Sequence, residues 1–104
     1  MGTCSKMRLP KHLSISGYTL NIIYKKKVVV DGDECFGVYD TSDKTIYLVK
    51  GMAPIRKKEI FLHEFIHFLE DIYRLDIQEE CVSGIAMGIL QLMTNPKLKW
   101  HVPQ

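Results

Sequence analysis

The sequence contains little cysteine, and its cysteines follow no disulfide or metal-binding spacing. There are three in 104 residues, at positions 4, 35 and 81, and no two of them form a CxxC pair. An odd number of widely separated cysteines is typical of reduced thiols in the cytosol rather than of a disulfide framework. We therefore expect a cytoplasmic protein whose fold does not depend on disulfide bonds.

Long apolar runs are missing as well. No stretch approaches the roughly 20 apolar residues that cross a bilayer, so no transmembrane helix is predicted. The first residues, MGTCSKMRLPKHLS, are basic but include no apolar segment of the kind found in a secretory signal. The sequence therefore predicts no membrane partner.

The sequence also lacks a large net charge of either sign. The formal net charge is +2, which is too small to indicate a nucleic-acid partner. Lysines cluster at 25–27 and at 57–58, and we interpret both clusters as solvated faces. Nothing in the pattern indicates an oligomeric state.

The length allows one domain, and the chain has no internal repeat, low-complexity segment or linker. We predict a flexible N-terminal arm at 1–14, a single domain at 15–96 and a C-terminal tail at 97–104. Three short segments of the domain are rich in β-branched and aromatic residues or alternate in polarity, with turn residues between them. They predict strands at 17–24, 35–40 and 45–49.

Two helices follow the predicted strands. Pro54 suits the first turn of a helix, where its missing N–H costs nothing, so the first helix is predicted over 54–73. Asp76 is a candidate N-cap for a second helix over 77–94, which the dipeptide at 95–96 ends. Short connections favour antiparallel pairing of the strands. The fold class is therefore α+β, with a small three-stranded antiparallel sheet followed by two helices.

The first predicted helix carries the most informative stretch, LHEFIHFLED at 62–71. At about 100° per residue, its apolar residues fall on one broad face, which we predict to face the core. That face consists of Leu62, Phe65, Ile66, Leu69, Ile72 and Tyr73. The opposite side carries His63, Glu64, His67 and Asp71. The two histidines are one turn apart, so their rings can converge on one point.

The spacing HExxH matches the chemistry of a zinc hydrolase. Zinc takes neutral imidazole ligands, and positions i and i+4 of a helix provide two of them, here His63 and His67. Glu64 lies beside such a metal and can accept a proton from a zinc-bound water and deliver it to a leaving amine. We predict one zinc ion per chain with Glu64 as general base. The alternative is a pair of exposed surface histidines without a metal.

A catalytic zinc site needs a third protein ligand and an open position. No third histidine follows at the spacing of metzincins, so the candidates are Glu79 and Glu80, at the start of the second helix. Glu79 lies nearer the apolar stripe of that helix, and we favour it, with Glu80 as the alternative. Glu79 could instead form a capping box with Asp76. Cys81 points elsewhere on the helical wheel, and we expect it to be buried.

Two supporting roles have several candidates. Asp71 could accept a hydrogen bond from the second ring nitrogen of a ligand histidine or orient another neighbouring side chain, or it could be a solvated carboxylate. An oxyanion needs a hydrogen-bond donor, and the sequence does not choose among the available ones. These are Tyr39, Tyr47, Tyr73 and His101.

The segment LHEFIHFLEDIYRLDIQEECVSGIAMGILQLMTNP, with the preceding GVYDTSDKTIYLVKGMAPIRKKEIF, resembles small phage and prophage metallopeptidases of the ImmA/IrrE type, which are distantly related to gluzincins. The resemblance covers residues 17–96 and implies a minimal zincin-like fold. It also implies that the strand at 45–49 forms a rim where an extended peptide substrate adds as an extra strand. The site residues that it implies are two zinc ligands, a general base and a third ligand, namely His63 and His67, Glu64, and Glu79 or Glu80.

Two functions fit these features. The first is a zinc-dependent metallopeptidase, a hydrolase that cleaves one protein substrate and, if phage-encoded, acts in the host cytoplasm. The alternative is a non-catalytic zinc-containing module of phage origin that binds or inhibits a protein. Glu64 favours the enzyme, because a purely structural metal site has no use for that carboxylate.

Overall fold

In the part of the chain that the structure describes, the strands come first and two helices follow them. The computed structural model describes residues 9–98. Its strands are β1 (His12–Ile15), β2 (Tyr18–Lys25), β3 (Val28–Val30), β4 (Asp33–Cys35), β5 (Gly37–Asp40) and β6 (Thr45–Val49). Its helices are α1 (Pro54–Tyr73) and α2 (Glu79–Met93). Neither of these helices combines the length and the apolar character that crossing a membrane requires.

Two tight turns determine where the hairpins form. Ser16 and Gly17 join β1 to β2, and Asp31 and Gly32 join β3 to β4; all four residues have positive φ. Two consecutive residues with positive φ form a type I′ turn, whose twist matches that of a pair of antiparallel strands. The dipeptides SG and DG therefore determine both hairpins locally.

The main sheet has four strands in the order β1-β2-β6-β5, and β3 and β4 form a separate two-stranded ribbon. β6 is parallel to β2 and antiparallel to β5. The α+β class is thus confirmed, whereas the three-stranded antiparallel sheet is wrong. The reason is that the β3–β4 ribbon separates β2 from β5, so that β2 and β5 are not neighbours in the sheet and a position between them is left for β6. β6 then enters between β2 and β5 and pairs with both.

Because β6 is an interior strand, the peptide rim expected at 45–49 does not exist. These residues pair with β2 on one side and with β5 on the other. A strand paired on both sides has no free backbone groups for an added peptide. The free edge at this side of the sheet belongs to β5, which packs against α1.

The ends of the domain differ from the sequence assignment in one respect. Residues 12–14, which the sequence assigns to the arm, belong to β1 and pair with β2. The rest of the assigned arm up to residue 8 lies outside the described residues. The same holds for 99–104, which include His101, one of the candidate donors.

The core lies between the sheet and α1, and α2 packs against α1. Its buried residues are Leu20, Ile22, Tyr39, Ile46, Leu48, Phe61, Leu62, Ile66, Phe68, Val82, Ala86 and Leu90. α1 spans 54–73 as predicted, but its buried surface is wider than the predicted face. Phe68 is fully buried against Tyr39, whereas Tyr73 is 52% exposed. This follows because α1 contacts the sheet on one side and α2 on another.

The start of α2 also departs from expectation. Its N-cap is Gln78, which makes no side-chain capping bond, and its first residue is Glu79. Asp76 therefore does not cap the helix, and the capping box with Glu79 does not form. Cys81 is exposed rather than buried, because α2 turns the side that contains Val82 towards α1.

Gly37 lets β5 approach α1 closely, and its replacement tests this packing. A Cβ at position 37 would lie 2.7 Å from Ile60 Cγ2 and 3.2 Å from the Tyr47 carbonyl oxygen. We expect Gly37→Ala to lower the free energy of unfolding by about 1–3 kcal/mol, the usual cost of overpacking. Urea unfolding followed by circular dichroism measures the change.

Gly84→Ala is the matched control for this prediction. Gly84 lies inside α2, and a Cβ there meets nothing within 4 Å. Alanine is favoured over glycine inside a helix, so this change should raise the stability by about 0.5–1 kcal/mol. Equal effects of the two substitutions would contradict the close approach of β5 to α1.

Candidate metal centre

Side chains from α1 and α2 meet in one polar cluster. His63 Nε2 lies 2.8 Å from Glu79 Oε2, and His67 Nε2 lies 3.3 Å from Glu79 Oε1. One ligand atom from each of these three residues lies within 4.8 Å of the other two. The three side chains are therefore close enough to bind one metal ion.

The backbone explains why these residues meet. His63 and His67 are one turn apart on α1, and their ring centroids are 5.1 Å apart. After α1, Arg74 adopts the left-handed conformation, and the Leu75 N–H donates to the Glu70 carbonyl oxygen at 2.9 Å. This is a common way to end a helix and reverse the chain. The reversal brings the first residue of α2, Glu79, against the histidines.

Glu70 is a site residue that the sequence analysis missed. Its Oε1 lies 2.7 Å from His67 Nδ1, and its Oε2 accepts the Ile77 N–H at 2.9 Å. A carboxylate only accepts hydrogen bonds, so Nδ1 carries the hydrogen, and Nε2 is the ring nitrogen that faces Glu79. The sequence could have indicated this contact, because Glu70 is three residues after His67 and therefore lies on the same face of the helix.

The two candidate third ligands differ clearly in position. Glu79 contacts both histidines, whereas Glu80 is exposed and takes no part in the cluster of described residues. Successive residues of a helix are about 100° apart, so only one of the two can face α1. The other ring nitrogen of His63, Nδ1, lies 3.4 Å from the hydroxyl oxygen of Ser83.

Glu64 lies on a different side of α1 from the two histidines, and this side faces the sheet. Its Oε1 accepts the Tyr39 N–H at 3.0 Å, so the amide on the free edge of β5 fixes this carboxylate. Burial raises the pKa of Glu64 above its usual range, while the nearby His67 and His63 and the Tyr39 amide oppose that rise. A carboxylate with raised proton affinity is better suited to accept a proton near neutral pH.

Asp71 contacts the sheet and the β5–β6 turn rather than a histidine. Its Oδ2 accepts hydrogen bonds from the Tyr39 hydroxyl at 2.6 Å and from Lys44 Nζ at 3.0 Å. These two donors hold the pKa of Asp71 below its usual range. Of the roles considered for Asp71, the orientation of a neighbouring side chain fits these contacts, and neither a histidine partner nor a solvated carboxylate does. Asp71 lies on the sheet side of α1, beside Glu64, and it fastens β5 and the β5–β6 turn to the helix.

The three described tyrosines named as oxyanion donors already have hydrogen-bond partners. The Tyr39 hydroxyl donates to Asp71, and the Tyr47 hydroxyl donates to Asp43 at 2.9 Å. The Tyr73 hydroxyl is hydrogen-bonded to Ser16. Tyr47 also lies on the opposite face of the sheet, because the neighbouring residues of β6 are buried against α1.

An open hollow of about 380 Å³ lies beside the cluster. Its walls come from the end of β5, the polar side of α1 and the connection to α2, and include Thr41, His67 and Leu75. It gives the polar side of α1 access to solvent.

No family model, curated protein or solved structure matches this chain. The role of the cluster is therefore inferred from its own residues and geometry.

Glu79 and Glu80 provide a direct test of the metal centre. We expect Glu79→Gln to weaken metal binding strongly, because it removes the negative ligand between the two histidines. Glu80→Gln, the same chemical change one residue away, should leave the affinity unchanged. Competition with a chromophoric chelator measures both affinities. Loss of metal from the Glu80 variant alone would show that the ligand is Glu80.

Glu70→Gln tests the partner of His67. An amide can reproduce one of the two hydrogen bonds but cannot match the charge of the carboxylate that orients the ring. We expect the metal affinity to fall about 10–100-fold, as is usual for such partners. Circular dichroism should show an unchanged helix content. Unchanged affinity would mean that Glu70 acts only on the connection between the helices.

Proposed function

We propose that this chain is a zinc-dependent metallopeptidase. His63, His67 and Glu79 are the proposed ligands of one zinc ion per chain, and Glu64 is the proposed general base. The observation that carries the proposal is the convergence of both Nε2 atoms on the Glu79 carboxylate, with Glu64 on the adjoining side of α1. Two imidazoles and a carboxylate, with a fourth position open, are the ligand set of a class of catalytic zinc sites.

The distances between the donor atoms support zinc. Ligand atoms about 2.0–2.1 Å from a tetrahedral zinc lie about 3.3 Å from one another. The His67–Glu79 distance of 3.3 Å has this value, and the His63–Glu79 distance of 2.8 Å is that of a direct hydrogen bond. The three ligand atoms lie within 4.8 Å of one another, so an ion at this site would draw the side chains together to the tetrahedral spacing. The hydrogen bond from His67 Nδ1 to Glu70 orients the ring so that Nε2 is the nitrogen available to a metal.

Glu64 supports the catalytic role. A zinc ion at this site would lower the pKa of a water molecule to about 7 and polarise a peptide carbonyl group. Glu64 would accept the proton of that water and pass it to the leaving amine. The Tyr39 amide binds one carboxylate oxygen and holds the side chain in place, while the other oxygen is left for proton transfer.

The proposed substrate is a protein or peptide. The hollow beside His67 is open to solvent and bordered by the end of β5, so a polypeptide can reach the cluster from that side. We also propose a relationship to the small phage metallopeptidases of the ImmA/IrrE type and a cytoplasmic location. The order of elements supports the relationship, since an HExxH helix is followed by a reversal and a glutamate at the start of the next helix.

One observation favours the non-catalytic alternative. The hydroxyls of Tyr39, Tyr47 and Tyr73 all have partners within the protein. None of them is free to stabilise an oxyanion without breaking a hydrogen bond. A zinc-containing binding module would need no such donor, so a direct test of catalysis decides between the two functions.

Glu64→Gln provides that test. Glutamine preserves the volume and can still accept the Tyr39 N–H, so His63 and His67 should keep their positions and the metal. It cannot accept a proton, and general base catalysis contributes about 10²–10⁴-fold. We therefore expect full zinc content by elemental analysis and loss of hydrolysis. Mass spectrometry of a bacterial lysate treated with each protein detects the cleavage of any protein in the mixture, so no substrate has to be chosen.

The outcomes separate the two functions. Products formed equally by the wild type and the variant would exclude Glu64 as the base. If neither protein forms products although both carry zinc, the binding module is the better description. His63→Ala controls for metal, since it should lose both the zinc and the products.

A further inference from the structure

A second recess lies on the face of the sheet that points away from the helices. It is a cleft of about 470 Å³ between the β3–β4 ribbon and the sheet. The residues that line the cleft include Tyr47, Val29 and Val38, together with Lys25 and Asp40. Val29 is 52% exposed, so an apolar surface is open to solvent here. Nothing in the proposed hydrolysis uses these residues.

The two ends of the cleft carry opposite charges. Lys25 pairs with Val49 of β6, and Asp40 pairs with Thr45, so the two charged residues lie four residues apart along β6. At the rise of a strand this is about 13 Å. Tyr47 lies midway between them.

At the cationic end of the cleft, the ammonium group of Lys25 can still bind an anionic group. Lys25 Nζ lies 4.5 Å from the centroid of the Tyr47 ring, and no carboxylate of the described residues is within ion-pair distance of it. Lys27, also in the cleft, pairs with Glu34 at 3.3 Å, but both side chains are largely exposed, and such pairs are weak. Asp40, by contrast, accepts hydrogen bonds from the Ser42 N–H and hydroxyl. The cleft therefore attracts a carboxylate at the Lys25 end.

The backbone around the cleft favours an extended ligand. β3 pairs only with β4, so its other edge has no strand partner among the described residues. The type I′ turn makes Val30 and Asp33 the hydrogen-bonded closing pair of the hairpin, so the N–H and C=O of Val29 point away from β4. These groups can bind the backbone of an added peptide.

The cleft and the hollow beside the candidate metal centre both border the end of β5. Tyr39 and Thr41 line both recesses. A chain that lies in the cleft and passes Asp40 would therefore cross the end of β5 to reach the side of His67.

We propose that this cleft binds an extended peptide segment with a carboxylate side chain at the Lys25 end and an apolar side chain over Tyr47. Such a segment would hold the substrate while the chain continues past Thr41 to the metal centre, and this second role rests on the proposed function. The cleft thus selects substrates with an acidic and an apolar residue at a distance from the cleaved bond, rather than beside it.

Fluorescence anisotropy with two labelled peptides tests the cleft. One peptide has a single glutamate next to valine and isoleucine, and its twin has glutamine in place of that glutamate. Glu64→Gln protein is used beside the wild type, so that the peptides stay intact. We expect the acidic peptide to bind at least about tenfold more tightly than its twin, a difference of about 1.4 kcal/mol. Lys25→Glu should reverse this preference.

Lys97→Glu is the control for net charge, because it makes the same change at an exposed residue outside the cleft. It should leave the affinity for the acidic peptide unchanged. Equal affinity of the wild type for both peptides, or equal weakening by Lys97→Glu and Lys25→Glu, would overturn the proposed cleft. Selective binding that Lys25→Glu reverses, together with no cleavage products in the lysate experiment, would support the cleft and contradict only the metallopeptidase.

Discussion

The two hydrogen bonds of the Glu70 carboxylate are the interaction on which the candidate site depends. One oxygen binds His67 Nδ1 and the other binds the Ile77 amide, while the Glu70 carbonyl oxygen accepts the Leu75 N–H. A single residue therefore orients a histidine of α1 and anchors the connection that leads into α2. Without that anchor, Glu79 would not be held opposite the histidines. Hydrogen bonds to a carboxylate are stronger than neutral ones, which suits a connection of only a few residues.

The sheet is attached to the same polar side of α1 by a second set of contacts. Tyr39 binds Glu64 through its backbone amide and Asp71 through its hydroxyl, and its ring packs edge-on against Phe68 at 5.7 Å between centroids. Lys44 adds an ion pair to Asp71. These contacts compensate the polar groups that the packing of β5 on α1 withdraws from water. Among the described residues, no buried side-chain polar atom is left without a partner.

The polar side of α1 thus lies in a groove between α2 and the edge of β5. α2 provides a carboxylate that faces both histidines, and β5 provides an amide that holds Glu64. This division explains how a small fold can assemble the candidate metal centre, since each neighbouring element adds one polar group to those that α1 already carries. It also connects the site to the rest of the sheet, because the end of β5 borders both recesses.

The sequence by itself determined the features that depend on nearby residues. The bounds of α1, the turn of the β3–β4 hairpin, the shared face of His63 and His67, and the preference for Glu79 all follow from helix and turn geometry. Pairing of distant segments was decided only by the tertiary structure. The order of strands depends on which edge offers β6 the better burial, and periodicity contains no such information. The roles of Glu70 and Asp71 were decided in the same way, because a helical wheel shows that both are polar but not whether the sheet or the connection to α2 lies opposite each of them.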